Sequence, residues 1–155
     1  MSAGILLRKA ALSDLSDILE MEQLCFGEDS FSKAQFIYLI TRAKGAFYIV
    51  EDDGKGVAYL SLLYHSGSHN LRIYSVAVHP GFRQKRLGQL LMDATIEYAR
   101  TCKATKITLE VNVSNAAAIH LYEKNGFVKT GIRPDYYHDG SDAYCMNRIF
   151  GKIYK

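Results

Sequence analysis

Apolar residues along this chain switch repeatedly between alternate-residue and helical spacing, and the switches divide it into short strands and helices. Ile5 to Lys9 reads as a first strand. Ser13 stands at a helix-cap position, and Leu15, Ile18, Leu19, Glu22 and Phe26 follow at helical spacing. Ser32 with Gln35 makes a capping-box pair ahead of Phe36, Leu39 and Ile40, which predicts a second helix. Ala46 to Val50 and Val57 to Tyr64 are predicted as a hairpin closed by Asp52-Asp53-Gly54-Lys55-Gly56, and Leu71 to Val78 as the next strand. After Pro80 and Gly81, helical spacing returns in Leu87, Leu90, Leu91, Ala94 and Tyr98. Lys106 to Val111 alternates as a strand would. Asn115 then caps a helix carrying Ala118, Ile119, Leu121 and Tyr122, which Gly126 stops. Phe127 opens a further strand, and Asp142 to Phe150 forms the last one. This order predicts an α/β protein, with a mixed central β-sheet and helices on both of its faces.

Length and composition narrow the picture. A chain of 155 residues suits one domain, residues 1–155, and a domain of that size buries about 70% of its unfolded surface, enough for a core without staples. No repeat, low-complexity segment or composition shift marks a linker. The net charge of +3 is too small and too local for a general nucleic-acid surface, so no nucleic-acid partner is expected. Cys25, Cys102 and Cys145 are an odd number at long spacings, which indicates neither a disulfide framework nor a metal knuckle and fits a reducing cytoplasm. His65 and His69 flank a Ser-Gly-Ser loop rather than sharing a helix face, so no metal site is expected. Nor is any stretch long and apolar enough to predict a signal peptide or a membrane span.

Candidate chemistry concentrates between Ser75 and Met92. A β-branched strand, Ser75-Val76-Ala77-Val78, runs into His79-Pro80-Gly81-Phe82, then Arg83-Gln84-Lys85-Arg86-Leu87-Gly88, then the helix. A helix N-terminus offers unpaired amides and a partial positive charge, and the three cations beside it suit a polyanion such as pyrophosphate. The alternative is a solvated basic turn before an ordinary amphipathic helix. The turn lacks the Gly-Lys-Ser/Thr of a P-loop and the glycine spacing of a dinucleotide fingerprint.

What this turn resembles is motif A of the GNAT acetyltransferases, an Arg/Gln-x-x-Gly-x-Gly/Ala sequence that holds the pyrophosphate of acetyl-CoA. Arg83 and Gly88 fit it, while Arg86 stands where the first glycine is usual. Downstream, Leu109-Glu110-Val111, Ser114-Asn115 through Ile119, Leu121-Tyr122 and Asn125-Gly126-Phe127 resemble the motif B region of the same family. Within it they are most similar to the ribosomal-protein-alanine acetyltransferases of the RimI type and their archaeal protein N-terminal relatives. The tail Tyr136-Tyr137-His138-Asp139-Gly140-Ser141-Asp142-Ala143 resembles a segment of that subgroup. The likeness runs from about Ser75 to Met146, with a weaker N-terminal part through Arg8, Asp14, Glu22 and Phe26. Asn112, at a position often basic there, and Phe31, in place of Trp, depart from the subgroup near the expected acceptor.

The resemblance implies a single-domain GNAT fold with a splayed sheet, acetyl-CoA as cosubstrate and coenzyme A as product. It assigns the general base to Glu110 and the general acid to Tyr122. Pyrophosphate falls to Arg83, Gln84, Lys85, Arg86, Leu87, Gly88 and Gln89. The pantetheine arm falls to the strand edge at Val76, Ala77 and Val78, with Asn115 hydrogen-bonding to it. Phe31, read as a lid or staple residue, and the aromatic loop Tyr136-Tyr137-His138 are expected near the acceptor, the alternative for the loop being a packed hairpin turn. Read without the family, Glu110 is either a partly buried base or a solvent-facing strand carboxylate, and Tyr122 either an acid or a core phenol. Asn115 is a plain N-cap, a role compatible with the other. The acceptor is expected to be the N-terminal α-amino group of a protein. Acetylation of a small amine, a polyamine or an antibiotic, favoured by an acidic cluster at Asp135, Asp139 and Asp142, is one alternative, and a non-catalytic acyl-CoA-binding domain is the other. A cytoplasmic monomer or weak homodimer, away from membranes, completes the expectation.

Overall fold

The structure is a computed structural model that describes residues 4–83 and 85–150. Seven strands are hydrogen-bonded in the order β1-β2-β3-β4-β5-β7-β6, a mixed sheet whose ends do not meet, and four α-helices accompany it among the described residues. The strands are β1 Ile5–Lys9, β2 Gly45–Asp52, β3 Lys55–His65, β4 Asn70–Val78, β5 Lys106–Asn112, β6 Val128–Arg133 and β7 Ala143–Ile149. The helices are α1 Leu15–Phe26, α2 Lys33–Thr41, α3 Leu87–Thr101 and α4 Ala116–Lys124. Every predicted element is present. The α-carbons group into two compact units, Met1–Leu63 with Tyr74–Leu91, and Tyr64–Ile73 with Met92–Lys155.

In the first unit β1 pairs antiparallel with β2, and β2 with β3. Asp53 and Gly54 join β2 to β3, both at positive φ (51° and 85°), as a two-residue hairpin loop requires. The core is aromatic: Phe36, Phe47 and Tyr59 lie edge-on or stacked with centroids 5.7–6.1 Å apart, packed with Ile18, Met21, Leu39, Ile49 and Ala77. The cap on α1 differs from the expectation. Ser13 makes no cap; it lies in a short 3-10 turn, Leu12–Asp14, that precedes the helix. Asp14 does the local work instead, accepting from the Ala11 N–H (2.7 Å) and taking both ends of the Arg8 guanidinium (2.7 and 2.9 Å). Its carboxylate is thereby held below the usual range, with the Arg8 contact as the main cause. The capping box of α2 is as predicted, Ser32 Oγ accepting from Gln35 N (3.2 Å) and Gln35 Oε1 from Ser32 N (2.7 Å).

In the second unit β4 and β5 run parallel, with Asn70 to Arg72 opposite Lys106 to Thr108, a pairing that needs a crossover helix, and α3 is that connection. β7 pairs antiparallel with both β5 and β6, and a bulge interrupts β6 between Lys129 and Gly131. The buried stripe of α3 is rotated from the predicted face: Leu87, Leu91, Met92, Thr95 and Ala99 are buried, whereas Leu90, Ala94 and Tyr98 are half-buried. An apolar residue flanking the stripe reads as part of it when only spacing is counted. Gly126 closes α4 at φ 90°, a left-handed stop available to glycine at little cost.

Candidate active site

The strand–turn–helix of the first unit begins on β4, where Ser75 and Ala77 are buried and Tyr74, Val76 and Val78 half-buried. Pro80 ends the strand in a 3-10 turn, and His79 Nδ1 accepts from the Gly81 N–H (3.1 Å). Arg83 folds back onto the strand, donating Nε–H to the Val78 carbonyl (3.3 Å) and Nη2–H to Cys25 Sγ (3.5 Å). Lys85 pairs with Asp52 (3.5 Å) and lies over the Phe82 ring, 5.3 Å from its centroid. Two of the three expected cations therefore have protein partners, which the sequence did not indicate. Arg86 is exposed, and its φ of 59° is left-handed. Its carbonyl accepts from Leu90 N–H (3.2 Å), the first bond of α3, so the Leu87 and Gly88 amides precede the intrahelical ladder. Gln84 lies outside the described residues.

On the same unit, Phe31 is half-buried. Its ring stacks on Tyr74 (4.8 Å, 18°) and meets Phe36 edge-on (6.2 Å). Beside Tyr74 a groove of about 320 Å³ is lined by Ala34, Gln35, Tyr38, Leu39 and Leu63.

The second unit carries Glu110 and Tyr122. β5 buries Ile107, Leu109 and Val111 and turns Thr108, Glu110 and Asn112 to its half-buried face. Glu110, with a side chain 13% exposed, is neither deeply buried nor solvent-facing; the guanidinium of Arg72, on β4, pairs with its Oε1. Tyr122, on α4, is buried with its ring 5.7 Å from that of Phe127. Burial pushes its phenol up to about 12, so at neutral pH it holds its proton. Asn115 caps α4, Oδ1 accepting from the Ala118 N–H (3.2 Å).

The loop from Arg133 to Asp142 is tightly bonded. Ser141 O accepts from the amides of Tyr136 (3.0 Å) and Tyr137 (3.1 Å), whose rings meet edge-on at 5.0 Å. Asn112 Nδ2 donates to Ser141 Oγ (2.9 Å), fastening the loop to the end of β5. Asp139 accepts from the amide and hydroxyl of Ser141 (2.9 and 2.5 Å), and Asp142 from the Asp135 amide (2.9 Å). These carboxylates shape the loop. Tyr136 and His138 are exposed and Tyr137 half-buried.

A strand feeding a basic turn with a left-handed residue at its helix start agrees with the family signature, and the sequence matches the acetyltransferase (GNAT) family over residues 15–127. The chain belongs to the GNAT acetyltransferases. Among GNAT relatives, an N-alpha-acetyltransferase of Sulfurisphaera tokodaii is 31% identical over 151 residues, 90% of each chain. The ribosomal-protein-S18-alanine N-acetyltransferase of Escherichia coli is similar in structure at a TM-score of 0.83 and 26% identity, covering 94% of this chain and 93% of that one. Ard1 from Thermoplasma volcanium gives a TM-score of 0.85 at 28% identity, over 94% and 97%.

For this GNAT chain, the first unit contains the turn, the strand end and Phe31, and the second contains Glu110, Tyr122, Asn115 and the Tyr136–His138 loop. Sequence reasoning missed Arg72, although it shares with Tyr74, Val76 and Val78 the outward parity of β4. It also counted Glu22 as one more helical position. Glu22 is 1% exposed and its carboxylate accepts from Tyr59 OH, Ser75 OH (3.5 Å) and the Phe31 N–H (2.8 Å). The available signal was a carboxylate one turn after Ile18 and next to Met21, both fully buried.

Proposed function

We propose that the chain, acting as one N-acetyltransferase domain over residues 1–155, transfers acetyl from acetyl-CoA to the N-terminal α-amino group of a protein, as the names of its relatives state for them. The reading fits the cosubstrate on an observation of this chain: a diphosphate suits the Leu87 and Gly88 amides at the start of α3, beside Arg86, and Arg83, Lys85 and Gln89 are assigned to it as well, as is Gln84, which lies outside the described residues. Bound there, acetyl-CoA would supply an activated acetyl thioester. Val76, Ala77 and Val78 offer strand backbone to the pantetheine amides, and Asn115 a side-chain amide.

Glu110 takes a proton from the acceptor ammonium, leaving the nitrogen lone pair free to attack. Arg72 fixes the Glu110 carboxylate through Oε1. The nitrogen bonds to the thioester carbonyl carbon; as the C–S bond breaks, Tyr122 gives its phenolic proton to the departing sulfur, the second amine proton leaves to solvent, and Tyr122 is reprotonated from solvent. What supports this assignment is the place of Tyr122 on α4, buried against Phe127, where burial keeps its phenol protonated at neutral pH. Phe31, Tyr136, Tyr137 and His138 contact the acceptor chain. A protein N-terminus is preferred to a polyamine because the relatives are named for N-alpha and ribosomal-protein-alanine acetylation. Free Cys25, Cys102 and Cys145 fit a cytoplasmic enzyme, which we take to act as a monomer or weak homodimer.

Thiol release from acetyl-CoA, screened against peptides differing in their first residues with polyamines alongside, tests the reading. Alanine-start peptides should lead. Polyamine turnover far above every peptide would overturn the acceptor class, and no release with any amine would leave an acyl-CoA-binding domain.

A further inference from the structure

Glu22 lies outside the proton transfers assigned above, yet it is a carboxylate buried in an aromatic core. Burying such a group is costly, and an apolar residue of similar volume would pack there at no such cost. What an apolar residue cannot do is accept hydrogen bonds. Tyr59 OH and Ser75 OH meet Oε1, and the Tyr59 and Ser75 hydroxyls lie 2.9 Å apart. One of those hydroxyls can donate to the other. The Phe31 amide, bonded to Oε2 at 2.8 Å, is the backbone donor among the three, and it comes from the short segment that follows α1.

That segment is short, and its last two residues, Ser30 and Phe31, are both tied to Glu22. Gly27 leaves α1 at φ 53°, Ser30 N–H returns to Gly27 O (3.1 Å), and Ser30 Oγ donates to the Glu22 carbonyl (3.2 Å). Phe31 follows, with its amide on the Glu22 carboxylate and its ring on Tyr74. Ser32 then caps α2, whose first turn lines the groove beside Tyr74.

We infer that Glu22 is a positioning residue for the acceptor: by clamping the Phe31 amide it fixes the Phe31–Tyr74 stack against which the acceptor chain is held. This rests on the assignment of Phe31 to the acceptor. Loss of the clamp should act on acceptor binding and spare the acetyl-CoA turn.

The test compares Glu22→Leu, which keeps the volume and removes the acceptor, with Glu22→Gln, whose amide oxygen still accepts from Phe31. With an alanine-start peptide, Glu22→Leu should raise the acceptor KM about tenfold or more, and keep kcat and the acetyl-CoA KM within about threefold. Glu22→Gln should restore most of the acceptor KM. Ser30→Ala, which cuts only the second tie, should raise it by about threefold without endangering the fold. Amide exchange at Phe31 should accelerate in Glu22→Leu and stay slow in Glu22→Gln. A purely structural Glu22 would change melting temperature and leave the acceptor KM unmoved in Glu22→Leu and Ser30→Ala alike, and that result would overturn the inference. Failure of the acceptor assignment looks different: the wild type itself would turn over no peptide, while slow exchange at the Phe31 amide would persist.

Discussion

Arg86 shows how a single residue can be both a departure from a motif and a consequence of it. Its φ of 59° is a conformation that glycine adopts freely and other residues adopt at a cost of roughly 1 kcal/mol. Arg86→Gly should therefore raise the melting temperature while weakening acetyl-CoA binding through the lost charge. Arg86→Glu should weaken binding further, with a deficit that shrinks at high salt because screening already reduces the wild-type attraction. Calorimetric titration at two salt concentrations, beside thermal melts, reads both effects; unaltered affinity in Arg86→Glu at low salt would place this charge away from the phosphates. Glu110 and Tyr122 divide differently. A free α-amino group has a pKa of about 8, so Glu110→Gln should lower turnover most near neutrality and recover partly in alkali. Tyr122→Phe should cost about tenfold to a thousandfold in turnover, since a coenzyme A thiolate is a tolerable leaving group. Both variants should bind acetyl-CoA almost normally. Wild-type turnover of Glu110→Gln across the pH range would remove Glu110 as the base.

At the scale of elements, α1 sets two carboxylates in opposite circumstances. Asp14, ahead of the helix, is held low by Arg8 and the Ala11 amide. Glu22, within it, is raised by burial, against the pull of its hydrogen bonds from Tyr59, Phe31 and Ser75. The pH dependence of stability follows with opposite signs. The Asp14 contribution is present above the unfolded carboxylate value of about 3.9 and is lost as pH falls through the folded value. The Glu22 contribution is full below the unfolded value of about 4.3 and is lost as pH rises through the folded value. In urea unfolding, Asp14→Asn should cost about 1–3 kcal/mol near neutrality, a deficit that closes in acid. The wild-type advantage over Glu22→Gln should be greatest in acid and narrow as pH rises. Parallel profiles for the two variants would contradict the assigned environments.

The same helix shows what was legible in the sequence. Among the described residues periodicity located the helices and most of the strands, because a buried face enforces its repeat directly on the residue types; β6, exposed along its whole length, was legible only from the Gly126 stop before it. The turn–helix and the Asn115 cap were legible as local patterns, whereas Glu110 and Tyr122 were singled out by the family resemblance. Arg72 beside Glu110, and Tyr59 and Ser75 around Glu22, were not, because each contact joins residues from different strands or helices and no spacing along the chain encodes it. Ser13 misled for a related reason: a capping residue type was present, but Arg8 made Asp14 the better local acceptor.

For the whole molecule, Leu6, Leu12, Val128, Ile132 and Ile149 are large apolar groups at least half exposed, and no helix among the described residues is long and apolar enough to cross a membrane. Two of these lie on β6, which ends the sheet order with all six residues exposed. A bare strand edge can recruit another chain by main-chain pairing. Here the bulge between Lys129 and Gly131 breaks the strand's rhythm, and Lys129 reaches over the Tyr144 ring with its ammonium 4.4 Å from the centroid. Replacing Lys129 and Gly131 together by valine would remove the charge and restore a plain β-forming run. Light scattering should then rise with protein concentration and incubation time while the starting protein keeps its thiol-release activity; an indefinitely clear solution would show that the edge is protected by other means. One irregular pair of residues thus sets a solubility limit: how concentrated this enzyme can become before its copies begin to use one another as templates.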